Sequence, residues 1–232
     1  MSFEALIFDC DGVLVNSEEI VQDIELELLA EHGLEYEREE FALRFLGVAN
    51  DHFYRALSED SVARLGRPLA SSFADELHSR ARLVFDTELK AFAGVEDVIH
   101  QWAEKLAVAS SSSIAGLEYK LQKTGLKPFF DPHIYSAEHV GAGKPDPAIY
   151  LHTASHLNVQ PEFCVVLEDS VNGVVSARAA GMSVVGFVAG LHCNEQQGEK
   201  LEAAGASFVV ESMAELLDQF SDRGWLSGGK HA

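Results

Sequence analysis

Apolar and polar positions along this chain follow two different periods. Ala5-Leu6-Ile7-Phe8 is a short apolar run that stops at Asp9-Cys10-Asp11-Gly12, before a second run, Val13-Leu14-Val15. A brief apolar run bounded by polar residues reads as a buried strand of a parallel sheet. In extended backbone Asp9 and Asp11 face the same way. From Asn16 the spacing turns helical. Ile20, Val21, Ile24, Leu28 and Leu29 form one stripe and Gly33 closes it, with Asn16 or Ser17 as candidate cap and Glu18 and Glu19 in the first turn. Further helices are predicted near Glu37–Phe45, Asp51–Leu65 and Ser71–Phe85, and no convincing strand precedes Lys90.

After Ala93-Gly94-Val95 the two periods alternate. The pattern predicts a helix over Glu96–Lys105 and a strand over Leu106–Ala109. A helix over Ala115–Thr124 and a strand over His133–Tyr135 follow, then a helix from Pro147 to Leu157. Strand Phe163–Leu167, helix Val171–Ala180, strand Ser183–Phe187, helix Glu195–Ala204, strand Ser207–Val210 and helix Met213–Phe220 complete the chain. Strands alternating with helices predict an α/β fold with a parallel, Rossmann-like sheet. The economical arrangement is an α/β core of residues 1–15 and 90–232, interrupted by an all-helical insert, residues 16–89, that would lie as a lid over the end of the first strand. The tail from Ser227 is expected to be loose.

A chain of 232 residues can bury a substantial core. The net charge of −20 repels nucleic acid and anionic membranes, so neither is an expected partner. The same charge means that an anionic small substrate needs a local positive site. Met1-Ser2-Phe3-Glu4 has no basic signal region, and no apolar run approaches transmembrane length. The three cysteines, Cys10, Cys164 and Cys193, are odd in number and widely spaced, with no disulfide framework or zinc motif. The expectation is a cytoplasmic, monomeric protein in which Cys10 and Cys164 are buried small hydrophobes.

Candidate chemistry collects where strands end. Asp9 and Asp11 follow the first strand, Ser110-Ser111-Ser112-Ser113 the second, and Gly143-Lys144-Pro145-Asp146-Pro147 lies in the loop after the third. Glu168-Asp169-Ser170 with Asn172-Gly173 follow the fourth. Each piece has a plainer reading. Asp11-Gly12 makes a turn, the serines make a turn and a helix cap, Lys144 is a solvated loop lysine, and Glu168-Asp169-Ser170 caps the helix at Val171. If the strands are parallel, however, all four sets meet at one sheet edge, where open α/β folds bind ligands. Four carboxylates there would raise one another's pKa unless a cation is present. A hard divalent ion such as Mg²⁺, with Lys144 and the Ser110 hydroxyl as phosphate donors, suits phosphoryl transfer.

These residues also spell a family. Phe8-Asp9-Cys10-Asp11-Gly12-Val13-Leu14, Ser110, Lys144 in Gly143-Lys144-Pro145-Asp146-Pro147, and Leu167-Glu168-Asp169-Ser170-Val171-Asn172-Gly173 resemble, in order, the four motifs of the haloacid dehalogenase superfamily. The helical insert resembles its subclass with a small α-helical cap, which includes β-phosphoglucomutase and many sugar-phosphate phosphatases. The resemblance implies Asp9 as nucleophile forming an aspartyl-phosphate, and Asp11 as general acid and then base. It implies Mg²⁺ held by Asp9, the Asp11 carbonyl and Asp169, with Glu168 acting through water. Ser110 and Lys144 would hold the phosphoryl group and Asp9. Substrate contacts are expected from Asp9, Asp11, Gly47, Asn50, Ser110, Ser111 and Lys144.

Departures from the family's variants narrow the expectation. An acid at Asp11 argues for phosphate over carbon–halogen chemistry. No lysine precedes Lys90, which leaves no Schiff-base lysine for a phosphonatase. The mutase's histidine position holds Val21, and Asn50 stands where its loop arginine would be. Val84-Phe85-Asp86-Thr87-Glu88-Leu89 and Asp222-Arg223-Gly224-Trp225 are similar to a bacterial group that includes a 6-phosphogluconate phosphatase. Arg44, Arg55, Arg80 and Arg82 are candidates to meet a second anionic group. The expected function is a Mg²⁺-dependent phosphatase of small phosphorylated sugars or sugar acids. A phosphosugar mutase is the alternative within catalysis, and a phospho-acceptor signalling domain the alternative outside it.

Overall fold

The first strand, β1 (Ala5–Phe8), buries all four of its residues, as a strand covered on both faces must. The computed structural model describes residues 3–45, 50–190, 193 and 196–226. After β1 come five helices: α1 (Ser17–Glu31), α2 (Arg38–Phe45), α3 (Asn50–Leu65), α4 (Phe73–Glu88) and α5 (Val95–Gln101). Strands and helices then alternate through β2 (Lys105–Ser110), α6 (Ile114–Lys123), α7 (Lys127–Phe130), β3 (Ile134–Ser136), α8 (Ala148–Leu157), β4 (Cys164–Glu168), α9 (Val171–Ala179), β5 (Ser183–Phe187), α10 (Gln197–Ala204), β6 (Phe208–Val210) and α11 (Met213–Asp222).

The six strands form one parallel sheet in the order β3-β2-β1-β4-β5-β6. Ile7 of β1 lies opposite Ala107 of β2 and Val166 of β4. The chain winds outward from β1 in one direction, then returns to β4 on its other side. The junction of β1 and β4 is therefore the topological switch point, where a crevice opens beyond the strands' C-terminal ends. Alternate β1 residues serve opposite faces. Ala5 and Ile7 pack in a core with Ile149, Tyr150, Val174 and Val184, under α8 and α9. Leu6 and Phe8 join a second core that runs without a break through Phe130 and Phe220 into Ile24, Leu28, Phe41, Phe53 and Phe73 of the helical segment. Within that segment Phe41, Phe45 and Phe53 form a cluster, with Phe45 5.4 Å from Phe53 and 4.9 Å from Phe41 between ring centres.

The two chain crossings between sheet and helical segment are tied together. Asn16 N donates to Lys90 O at 3.1 Å, and Lys90 N donates to Asn16 Oδ1 at 2.8 Å. Asn16 was a candidate helix cap, but its side chain makes no capping bond and reaches across the crossing instead. Farther along, Tyr119 Oη of α6 donates to Asp86 Oδ1 of α4 at 2.5 Å, and Lys123 Nζ donates to the Asp86 carbonyl at 2.7 Å.

Most predicted elements stand within a residue or two of their expected bounds. Helix α5 ends at Gln101 rather than Lys105, because Lys105 is drawn into β2 opposite Ala5. The four-residue α7, with Pro128 in its first turn, has too short a period to be read from spacing. Helix α10 starts at Gln197, and Glu195, Gly47 and the tail from Ser227 lie outside the described residues. Cys10 and Cys164 are buried free thiols, as expected. Among the described residues no helix is long and apolar enough to cross a membrane.

Asn16→Ala strips the Lys90 N–H of its side-chain acceptor. The expected cost is about 1 kcal/mol of stability, read as a lower urea midpoint at unchanged slope.

Candidate active site

Asp9 follows the last residue of β1, and its backbone N–H donates to the Leu167 carbonyl of β4 at 3.0 Å, which fixes it at the switch point. Its side chain is buried. Lys144, from the loop after β3, reaches the same place. Its ammonium lies 2.5 Å from Asp9 Oδ1 and 2.5 Å from Glu168 Oε1, and bridges the ends of β1 and β4. It also lies over the Tyr150 ring, 5.1 Å from the centroid.

Glu168 is fully buried and closely held. Tyr150 Oη donates to Oε1 at 2.7 Å, while Ser170 N and Oγ donate to Oε2 at 3.1 and 3.0 Å. Ser170 also caps α9 by accepting from Gly173 N at 3.0 Å, so the capping reading of Glu168-Asp169-Ser170 and the site reading both hold. Gly173 is required by space: a Cβ there would stand 1.8 Å from Glu168 Oε1. Asp169 is buried beside this group, and Gln197 Nε2 donates to its backbone carbonyl at 2.6 Å.

Asp11 belongs to a second knot. Ser17 Oγ, the first residue of α1, donates to Asp11 Oδ1 at 2.5 Å. Ser112 Oγ donates to Oδ2 at 2.7 Å, and Ser110 Oγ to Oδ2 at 3.3 Å. Lys120 of α6 donates both to Asp11 Oδ1 and, at 2.7 Å, to Ser112 Oγ. The serine run therefore divides its work. Ser110 and Ser112 turn to Asp11, Ser113 caps α6 through Gly116 N, and Ser111 is exposed with no side-chain hydrogen bond among the described residues.

The electrostatics separate the two aspartates. Burial is the largest influence on Asp9. Together with the nearby carboxylates of Glu168, Asp169 and Asp11 it outweighs Lys144 and raises the Asp9 carboxyl well above its ordinary range. Lys144 stays a cation, because Asp9 and Glu168 more than offset its own burial. One ammonium thus serves a cluster with more negative charge than it can balance. Burial would raise Asp11 too. There the Lys120 charge and the bonds from Lys120, Ser17 and Ser112 win, and hold it down at about 2.

Among the described residues no three His, Cys, Asp or Glu side chains converge closely enough to hold a metal ion by themselves. The donor set nonetheless fits a hard cation that keeps part of its shell as water or substrate oxygen, as Mg²⁺ does. The carboxylates are oxygen donors in an under-compensated cluster, and Glu168 already spends both oxygens on Lys144, Tyr150 and Ser170.

Of the residues singled out from sequence, Asp9, Lys144, Glu168 and Asp169 lie at one edge with Asp11 and Ser110 adjoining. Ser111 points to solvent, Asn50 opens α3 with its side chain outside the described residues, and Gly47 lies outside them altogether. Sequence reasoning missed Lys120, Ser17, Ser112 and Tyr150 as partners of these groups. Lys120 left a signal: it occupies the buried stripe Leu117–Lys120–Leu121, where a lysine needs a partner.

Gly173→Ala forces Glu168 out of its seat and Lys144 with it. The expected outcome is a loss of stability of about 1–3 kcal/mol in urea melts. Lys120→Met removes the cation that keeps Asp11 ionised. A carboxyl at about 2 when folded and about 3.9 when unfolded adds stability that is present above that unfolded value and lost as the pH falls toward 2. The variant is expected to lose on the order of 2–3 kcal/mol near neutral pH and to show a shallower decline between about pH 5 and pH 2. Urea midpoints across that range check both.

Comparison with known proteins agrees with this geometry. The family model described as haloacid dehalogenase-like hydrolase matches residues 3–181. The 6-phosphogluconate phosphatase of Escherichia coli K12 is 32% identical over 223 residues, which cover 96% of each chain. A crystal structure of a haloacid dehalogenase-like protein of unknown function from Agrobacterium tumefaciens superposes with a TM-score of 0.88 at 36% identity, over 96% of this chain and 100% of that one. A HAD family hydrolase from Deinococcus radiodurans, solved with bound phosphate and sodium, gives 0.82 at 32% identity, over 98% and 99%. With a parallel sheet whose switch point carries Asp9, Lys144 and Glu168, and a family match over most of its length, this chain belongs to the haloacid dehalogenase-like hydrolases.

Proposed function

We propose that this hydrolase is a Mg²⁺-dependent phosphatase of small phosphorylated sugars or sugar acids, working through an aspartyl-phosphate. The observation that carries the reading is Asp9, buried at the switch point with the Lys144 ammonium 2.5 Å from its carboxylate. The names of related proteins support the substrate class, among them the 6-phosphogluconate phosphatase.

In this reading an Asp9 oxygen attacks phosphorus, the bond to the leaving oxygen breaks, and the phosphoryl group rests on Asp9. Ser110 donates to a phosphoryl oxygen, and Lys144 steadies Asp9 and offsets the charge that develops. Ser111, Gly47 and Asn50 complete the substrate set. Water then attacks the phosphorus, Asp11 takes its proton, and inorganic phosphate leaves Asp9. A carboxyl held near 2 is ionised at neutral pH, which suits Asp11 to this second step. To protonate the leaving oxygen in the first step, Asp11 must part from Lys120 and take up a proton. Mg²⁺, when bound, supplies positive charge that favours ionised Asp9 and offsets the phosphoryl oxygens. Asp9, Asp169 and the Asp11 carbonyl would hold it, with Glu168 acting through water. Residues 16–89 act as a cap on the core of residues 1–15 and 90–232, hinged at the Asn16–Lys90 crossing. Val21 offers no proton-bearing group from the cap, which favours transfer to water over transfer to a second sugar hydroxyl.

The purified full chain with Mg²⁺ is expected to release phosphate from members of a phosphometabolite panel, and chelation to abolish release until Mg²⁺ is restored. Asp9→Asn is expected to lose at least about a thousandfold in kcat while its circular dichroism is unchanged. An Asp9→Asn protein as active as the wild type would overturn the assigned nucleophile.

A further inference from the structure

Tyr150 of α8 packs among Ala5, Ile7, Val166 and Val174, and none of its surface is exposed. For packing alone a phenylalanine would serve there, because the two rings have the same shape. The tyrosine differs by one hydroxyl, and that hydroxyl is bonded to Glu168, with Oη donating to Oε1 at 2.7 Å. Burial, and then the charge of Glu168, push the Tyr150 hydroxyl well above its ordinary range, so it remains a donor at neutral pH.

The same carboxylate oxygen also receives Lys144. Nζ lies 2.5 Å from Glu168 Oε1 and 2.5 Å from Asp9 Oδ1, and stands 5.1 Å from the centre of the Tyr150 ring. Two carboxylates thus compete for one ammonium. A second donor on Glu168 Oε1 takes up part of that oxygen's accepting capacity, and the ring face attracts the ammonium from a third direction. Both effects leave Lys144 shared with Asp9 instead of drawn wholly onto Glu168. Glu168 is itself fixed from the other side, because Ser170 N and Oγ hold Oε2.

The sequence puts the two groups on one short segment, with five residues between Lys144 and Tyr150. Asp146 between them is bonded twice. Its Oδ1 accepts from Ala148 N at 2.9 Å, and its carbonyl accepts from Ser176 Oγ of α9 at 2.6 Å. A single piece of backbone, fastened to α9, therefore carries both Lys144 and Tyr150 to Glu168.

We propose that Tyr150 is a positioning residue of the active site, whose hydroxyl on Glu168 Oε1 and ring face beside the ammonium hold Lys144 against Asp9 for phosphoryl transfer. The inference rests on the phosphatase reading and adds to it a residue that acts through Lys144.

The test compares the full-length wild type, Tyr150→Phe and Thr153→Val with Mg²⁺, on acetyl phosphate and on 6-phosphogluconate. Tyr150→Phe keeps the ring and removes only the hydroxyl. Thr153→Val removes another buried hydroxyl of the same helix, one that donates to the Ile149 carbonyl at 2.8 Å and meets no group of the site. Acetate leaves phosphorus without needing a proton, so acetyl phosphate reports on Asp9 and Lys144 apart from Asp11. Tyr150→Phe is expected to lose about tenfold or more in kcat, by a similar factor on both probes, with KM within about twofold of wild type. Thr153→Val is expected to stay within about twofold of wild type in kcat, although both variants lower the urea midpoint. A Tyr150→Phe enzyme within twofold of wild type in kcat would overturn the inference. A loss confined to KM or to one probe would make Tyr150 a substrate contact and overturn it too. An equal kcat loss in Thr153→Val, or a Tyr150→Phe chain without wild-type circular dichroism, would mark the hydroxyl as structural and also overturn it. All of these outcomes leave the phosphatase reading intact. A wild type that releases phosphate from neither probe nor any member of the phosphometabolite panel would overturn that reading, and the role of Tyr150 with it.

Discussion

The site depends on one ammonium group. Lys144 stands between Asp9 and Glu168, and without it two buried carboxylates would face each other across the β1–β4 junction. Charges in such a place are tolerated only when paired and hydrogen-bonded on every side. Much of the nearby structure meets that condition. Tyr150 shares Oε1 of Glu168 with Lys144 and Ser170 takes Oε2, Gly173 gives up its side chain so that Glu168 can sit where it does, and the backbone of Asp9 is pinned to Leu167. The parallel pairing of β1 with β4 brings Asp9 and Glu168 together across 159 positions of sequence, and the loop after β3 delivers the lysine.

Asp11 is handled in the opposite way, and the contrast gives two carboxylates two chemistries. Asp9 is buried, with other acids nearby, and becomes reluctant to ionise, while Asp11, buried too, is wrapped in donors and becomes reluctant to be protonated. The donors of Asp11 come from separate parts of the chain: Ser17 from α1, Ser110 and Ser112 from the end of β2, and Lys120 from α6. Helix α6 also carries Tyr119 and Lys123, both bonded to Asp86 of α4. The helix that supplies the counter-charge to Asp11 is therefore also the one that the helical segment leans on.

The sheet and the strand-end residues were legible because short buried strands advertise themselves and because polar groups interrupt them abruptly. Asp9, Asp11, Lys144, Glu168 and Asp169 all fall at such interruptions. What stayed hidden were partners supplied from helices. Tyr150 reads as a core residue of α8, and only the packing reveals that its hydroxyl meets Glu168. Asn16 and Ser17 look like helix caps, since local spacing cannot report that Lys90 and Asp11 compete for their side chains and win. Lys120 sat in an apolar stripe, and its placement becomes intelligible once Asp11 is seen beside it.

The crossing at Asn16 and Lys90 changes how the chain can be altered. Seventy-three residues lie between these two, yet the excursion begins and ends at one pair of hydrogen bonds, Asn16 N to the Lys90 carbonyl and Lys90 N to Asn16 Oδ1. The entropy of closing a loop grows only with the logarithm of its length, so once its ends are joined the size of the excursion matters little to the strands beneath it. The helical segment is in this sense a cassette. A change in its length away from the shared core and from Ser17 and Asp86 is therefore expected to leave the closure of its ends intact, while a replacement must also resupply the apolar side chains that Leu6 and Phe8 share with Ile24, Leu28 and Phe73.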